Sequence, residues 1–166
     1  MTLPSSCTLR PATAADAELI QMQRAAMFTE MGEAPERLAR VHGIGAQWLE
    51  TMLASGRYSG LLAEHAGAVV PGNVIAGAGV LWQDMPPNAD TALSVRAYLL
   101  NVYVHPAHRG RRLAQTLVQA LLTECRARGV QIVTLTASDA GRPTYERLGF
   151  GAQAEMKLLL QGKVSA

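Results

Sequence analysis

The segment LLNVYVHPAHRGRRLAQTLVQALL, residues 99–122, decides the fold. It begins as an apolar, β-prone run that stops at His105-Pro106, because proline cannot donate to a sheet ladder. A turn then gathers Arg109, Arg111 and Arg112 around one glycine, Gly110. From there Leu113, Leu117, Leu121 and Cys125 recur at fourfold spacing, with Val118 and Leu122 beside them. That spacing predicts an amphipathic helix that starts near Arg112 and ends at Gly129. A second apolar run, QIVTLTAS at 131–138, follows. Strand, helix and strand in this order form a βαβ unit, so the two strands are expected to lie side by side in parallel.

Working outward, CTLR at 7–10 reads as a first strand, and the helix after it places Leu19, Met22, Ala26 and Met27 on one face with Asp16 at its start, where a carboxylate suits the helix dipole. A second helix is predicted over 35–54, with Leu38, Val41, Trp48, Leu49, Met52 and Leu53 as its apolar side and Gly43 and Gly45 as a point of division. YSGLLAEH and NVIAGAGVLWQDM then read as a hairpin. MPPNAD at 85–90 is a loop, RAYLLNVYV a central strand, PTYERLG a short helix, and AEMKLLL at 154–160 a last strand. The predicted class is mixed α/β: a largely antiparallel sheet carrying one parallel pair and flanked by helices.

At 166 residues, 49% hydrophobic and 17% charged, the chain is expected to be one globular domain over 1–166. Its start lacks the basic and apolar regions of a secretory leader, and the most apolar segment is interrupted by Pro71, Gly72 and Asn73, so a soluble cytoplasmic protein is the expectation. Cys7 and Cys125 offer no metal-ligand spacing, and no metal is expected.

Charge is unevenly spread. Residues 1–95 hold five basic against nine acidic side chains, and residues 96–150 hold eight against three. A local excess of that size suits one anionic ligand better than a polyanion, whose affinity is built from many phosphate contacts. The turn at 105–114 has the means to hold such a ligand: open amides at a helix start, a glycine that permits close approach, and three guanidinium groups. Neither G-x-x-x-x-G-K-[ST] nor G-x-G-x-x-G is present.

The ordered series of LLNVYVHP, R-x-x-x-x-A from Arg109 to Ala114, the amphipathic helix, IVTLTAS and YERLGF resembles the core of the GNAT superfamily of N-acetyltransferases. The resemblance implies that backbone amides of the turn hold the pyrophosphate of coenzyme A, with acetyl-CoA as acyl donor. It carries over Arg109, Gly110, Arg111, Arg112, Leu113 and Ala114 as binding residues. The family's central glycine is here Arg112, and a β-carbon there is compatible with a helical backbone. The resemblance further implies that the strand at Asn101–Val104 splays from its parallel neighbour near residue 137. The pantetheine arm then lies along Val102, Tyr103 and Val104 as an added strand.

By the same resemblance, Tyr145 of YERLGF is the catalytic acid that protonates the departing thiolate, and Ser138 stands where relatives carry asparagine, either bonding the pantetheine or capping the short helix. Many relatives place a glutamate near Asn101, which cannot act as a base. Glu30, Glu33, Asp84 and relayed water remain open as proton acceptors. His105 and His108 read as solvated turn residues, and Cys125 as a packed thiol.

The acceptor is expected to be a primary amine on a small molecule or peptide. The acidic first half points to a cationic one, with Phe28, Met31, Trp82 and Met85 as an apolar wall. No membrane or nucleic-acid partner is expected, and a homodimer is in keeping with many relatives. The competing reading is a catalytically silent acyl-CoA sensor on the same scaffold.

Overall fold

The computed structural model describes residues 7–158. Five strands form one sheet in sequence order: β1 (Cys7–Pro11), β2 (Tyr58–His65), β3 (Val74–Asp84), β4 (Val95–Val104) and β5 (Val133–Leu135). The first four are antiparallel neighbours, and β4 and β5 are parallel. This is the mixed sheet that the βαβ reading predicts.

The helices are α1 (Ala17–Glu30), α2 (Pro35–Ala54), α3 (Leu113–Ala127) and α4 (Arg142–Arg147). In α3, Leu113, Leu117, Val118, Leu121 and Cys125 are each at most 2% exposed and pack on β3 and β4 with Ile75, Val80 and Leu99. Each aliphatic side chain so buried contributes about 1.5–3 kcal/mol, which fixes α3 against the sheet and sets where its N-terminal turn lies. A second cluster joins Ile20 of α1 and Leu49 of α2 to Tyr58, Leu62 and Val74.

Four expectations are corrected. The helix α2 runs unbroken through Gly43 and Gly45. Gly45 serves close packing: a β-carbon there would lie 2.5 Å from Oε1 of Gln21 on α1. The buried face of α1 is Ala17, Ile20, Gln21 and Gln23, whereas Met22 is 44% exposed. Two glutamines are turned inward at the expense of a methionine, so apolar periodicity misplaced that face. In α2, Val41 and Trp48 are exposed and Leu49 is the buried anchor. Finally, residues 154–158 form no strand, and 159–160 of the predicted last strand lie outside the described residues. Among the described residues no helix is long and apolar enough to cross a membrane.

Candidate active site

Strand β4 builds the centre of the site. It pairs with β5 only at Ala97, Tyr98 and Leu99, and then continues five residues further to Val104. The hydroxyls of Tyr98 and Thr136 meet at 2.8 Å just past the last pair, so the two strands part from there. On the other side, the ladder with β3 steps from Gly79↔Leu100 to Gly77↔Tyr103, which sets Asn101 and Val102 against the single residue Ala78. The extra residue is a β-bulge, and Asn101 occupies the left-handed region at φ 56°, which asparagine tolerates better than most residues. Past the bulge, His105 donates its amide to the Ile75 carbonyl at 2.8 Å, and Tyr103 pairs with Gly77. Alternation along an antiparallel strand therefore aims the amides of Val102 and Val104 at the unpaired edge.

The edge runs into the basic turn. After a 3₁₀ turn at Pro106–His108, Gly110 takes φ 76° and Arg112 takes φ 59°, ψ 17°. Arg112 is thus left-handed and flanks the helix, which begins at Leu113; the expectation of an ordinary helical backbone there is corrected. The first amide bonded back is Thr116, to the Arg112 carbonyl at 3.0 Å. Leu113, Ala114 and Gln115 consequently present N–H groups with no partner inside the helix, at the positive end of its dipole.

The three arginines are not equivalent. Arg109 donates from Nη2 to both carboxylate oxygens of Glu30 at 2.7 Å and from Nε to the Val104 carbonyl at 3.0 Å. Arg111 and Arg112 have no carboxylate partner among the described residues and are exposed. His105 and His108 are partly buried, with ring centroids 5.9 Å apart, and His65 lies 5.5 Å from His108, which makes them a packed group instead of solvated turn residues. Burial, then the nearby Arg111, His65 and His105, push the His108 pKa down. Among the described residues no group of side chains is placed to hold a metal ion.

Tyr145 sits on α4, packed against the main core with its ring edge-on to Phe150 at 5.9 Å. Its hydroxyl has no hydrogen-bond partner among the described residues, and burial raises its pKa above the ordinary tyrosine value. Ser138 closes the turn that leads into α4: its Oγ accepts from the Gly141 amide at 3.2 Å and its carbonyl from Arg142 at 2.9 Å. Cys125 is a packed thiol, its pKa raised by burial.

On the α1 side the bulge is held by a polar network. Asn101 accepts from Arg24 Nη1 through Oδ1 and donates from Nδ2 to the Tyr58 hydroxyl at 3.1 Å. Tyr58 in turn lies over Gly79, where a β-carbon would stand 1.8 Å from its hydroxyl. Burial pushes the Tyr58 phenol up to about 12, against the lesser opposing effects of Asn101 and Arg24. A cavity of about 380 Å³ opens beside Arg24 between α1 and α2, lined also by Gln21, Phe28, Glu33, Arg37 and Arg40. Arg24, Tyr58 and Gln21 had no motif to announce them. The available signal was polar residues at helix positions that the sheet covers.

Of the predicted proton acceptors, Glu30 is bound to Arg109 and Glu33 to Arg37 at 2.8 Å. Asp84 lines a different cavity, with Trp82 and Arg128, beside the far end of β4 at Val95. The expected apolar wall divides accordingly: Phe28 lines the α1–α2 cavity, Trp82 belongs to the core, and Met31 and Met85 are exposed.

Residues 40–150 match the model of the Acetyltransferase (GNAT) family. A GCN5-related N-acetyltransferase from Ralstonia eutropha JMP134 is 34% identical with a TM-score of 0.86, over 93% of this chain and 98% of its own. A predicted acetyltransferase from Clostridium acetobutylicum, solved with acetyl-CoA, is 25% identical with a TM-score of 0.82, over 92% and 95%. The glucosamine-6-phosphate N-acetyltransferase of Arabidopsis thaliana shares the fold at 16% identity and a TM-score of 0.68, over 95% and 100%. No match to a curated protein is found at a significant level.

Proposed function

Because the chain belongs to the GNAT acetyltransferase family, we propose that it moves the acetyl group of acetyl-CoA directly to a primary amine. The observation that carries this reading is the unpaired edge of β4, where the outward amides of Val102 and Val104 lead into the open amides of the basic turn. An extended pantetheine arm matches the edge as an added strand would, and the diphosphate matches the turn, where Arg111 and Arg112 supply charge that no carboxylate among the described residues cancels.

The bonding changes are those of aminolysis. The acceptor nitrogen attacks the thioester carbonyl carbon, the outward amide at Val104 donates to the oxygen that gains charge, and the C–S bond breaks. The Tyr145 phenol gives its proton to the departing thiolate. Burial keeps that phenol protonated across the neutral range. The proton lost by nitrogen goes to water, because the one carboxylate lining the α1–α2 cavity, Glu33, is engaged by Arg37. An amine of modest basicity is favoured on this account, since only its neutral fraction attacks: a reference α-amino group near pKa 8 is about one tenth neutral at pH 7, whereas a lysine-like amine near 10.4 is far less so.

Titration calorimetry with acetyl-CoA at low ionic strength, followed by a thiol-release assay over a panel of amines, tests the reading. Association and amine-dependent release of CoA are the expected results. Absence of association overturns it, and association without release from any amine converts it to the sensor reading, which the lack of a free carboxylate in the cavity favours.

A further inference from the structure

We propose that the acceptor amine carries an anionic group, carboxylate or phosphate, and that Arg24 binds that group in the α1–α2 cavity with Arg40 beside it. The inference rests on the acetyl-transfer reading and names the class of its second substrate.

Arg24 is a cation without a counterion. Its guanidinium donates to the neutral amide of Asn101 and lies 4.9 Å from the centre of the Phe28 ring, and no carboxylate pairs with it among the described residues. Burial lowers its pKa against the lesser opposing effects of Tyr58 and Tyr98, as for a charge removed from water with incomplete compensation. A partly buried guanidinium in that condition gains strongly from an anion, because charge-assisted bonds to carboxylate or phosphate are the strong ones and arginine fits both bidentately.

The surroundings point the same way. Arg37 is engaged by Glu33, the cavity's one carboxylate, while Arg40 has no carboxylate partner among the described residues, so the cavity keeps a positive excess. Gln21, 5% exposed and lining the same cavity, holds its Oε1 with no hydrogen-bond partner. That atom is itself buried against Gly45 of α2, so Gln21 closes the inner wall of the cavity and leaves the arginines as the groups a ligand meets. At about 380 Å³ the space is that of a small-molecule site near the lower end of the usual range. It also adjoins the reaction centre, since Arg24 bonds the residue that immediately precedes Val102.

Of the nine acidic side chains of residues 1–95, Glu33 alone lines this cavity, and Arg37 holds it. Asp16 and Glu64 hold Arg10, Glu18 meets His42, and Glu30 meets Arg109. Those carboxylates stand away from the cavity with partners of their own, so a cationic acceptor, which segment charge alone suggests, finds no free carboxylate here among the described residues.

The test compares kcat/KM for matched amines that differ in the anionic group: each α-amino acid against its amide, β-alanine against β-alaninamide, and glucosamine 6-phosphate against glucosamine, with spermidine as the cationic case. The first two series and the third separate carboxylate from phosphate. The wild type is expected to prefer the anionic member by at least about tenfold, the lower end of what a charge-assisted bond supplies. In Arg24→Gln that ratio is expected to fall toward one, with Arg24→Lys keeping part of it. Arg40→Gln, on an exposed position that carries no fold, is expected to lower the ratio about threefold.

Preference for the neutral or cationic members, or a ratio indifferent to both the Arg24 and the Arg40 substitutions, overturns the proposal while leaving acetyl transfer intact. Should no amine release CoA, acetyl transfer itself fails, and calorimetry of the same anionic amines on CoA-loaded protein decides the binding claim. Association weakened about tenfold or more in Arg24→Gln supports it, and no association with any anionic member overturns it.

Discussion

Arg109 grips both oxygens of Glu30 at 2.7 Å while its Nε holds the Val104 carbonyl at 3.0 Å, so one guanidinium clasps the end of α1 to the end of β4. The pair is about half exposed and contributes about 1 kcal/mol at most. Its larger effect is on charge: the carboxylate cancels the arginine nearest the strand end. Glu30→Gln is therefore expected to tighten acetyl-CoA binding about two- to fivefold at low salt, with the gain gone at 0.5 M, and to leave the pH profile of kcat unmoved. A kcat reduced a hundredfold with loss of an acidic limb would make Glu30 the general base instead.

Arg112 holds a left-handed backbone that costs an L-residue about 1–2 kcal/mol. Arg112→Gly removes that strain and, after the added entropy of a glycine in the unfolded chain, is expected to raise stability by about 0.5–1 kcal/mol in denaturant titration. The same variant separates side chain from backbone in binding. Its acetyl-CoA affinity should fall less than about fivefold at physiological salt, because the amides of Leu113, Ala114 and Gln115 remain.

Tyr145→Phe deletes a hydroxyl with no internal partner, so thermal unfolding should be unchanged to within about 0.5 kcal/mol. Under the proposed role of Tyr145 as proton donor to the thiolate, its loss should reduce kcat about a hundredfold with little change in the KM for acetyl-CoA. An undiminished kcat with every accepted amine would remove Tyr145 from the chemistry.

Tyr58 gives a pH signature. Its phenol is held up to about 12, chiefly by burial, against about 10 in the unfolded chain. As pH rises the unfolded chain releases this proton first, so the contribution is complete below pH 10 and is lost between 10 and 12, at most about 3 kcal/mol. Asp16 has the opposite sign. Hydrogen bonding from Arg10, ahead of that from Thr13, holds its carboxyl at about 2, so its contribution is present above about pH 4 and lost as pH falls toward 2. In urea titrations across pH, Tyr58→Phe should flatten the alkaline fall and cost about 1–2 kcal/mol at pH 7 by stranding the Asn101 amide. Gly79→Ala, whose new methyl would collide with the Tyr58 hydroxyl, should cost about 3 kcal/mol or more at every pH.

The half of the site formed by β4, the turn and α3 was legible because its signals are local: Pro106 ends a strand, Gly110 and the arginines mark the turn, and a fourfold apolar repeat runs through α3. Tyr145 and Ser138 were placed by resemblance, and the structure adds what they touch. The α1–α2 cavity, the acceptor half under the proposal, was not legible, for a physical reason. Gln21, Gln23 and Arg24 turn inward on α1, where Arg24 meets Asn101 of the β4 bulge, Gln21 packs at Gly45 and Gln23 at Gly77, and such burial breaks the apolar periodicity by which an inward face is recognised. The segment charge could not show pairing, since Glu30 and Glu33 are each tied to a basic neighbour that no one-dimensional count pairs with them. Asn101 reads as a missing glutamate in the sequence, whereas in the fold it is the joint between Arg24 and Tyr58.

The bulge at Asn101 changes the parity of β4. Before it, odd-numbered residues such as Ala97, whose amide reaches the Ile132 carbonyl at 3.1 Å, face β5; after it, the even-numbered Val102 and Val104 do. One residue of chain length thus decides which amides look into the cleft. Flattening the bulge with no residue removed would exchange the whole set, handing Val102 and Val104 to the paired side without altering any side chain they carry.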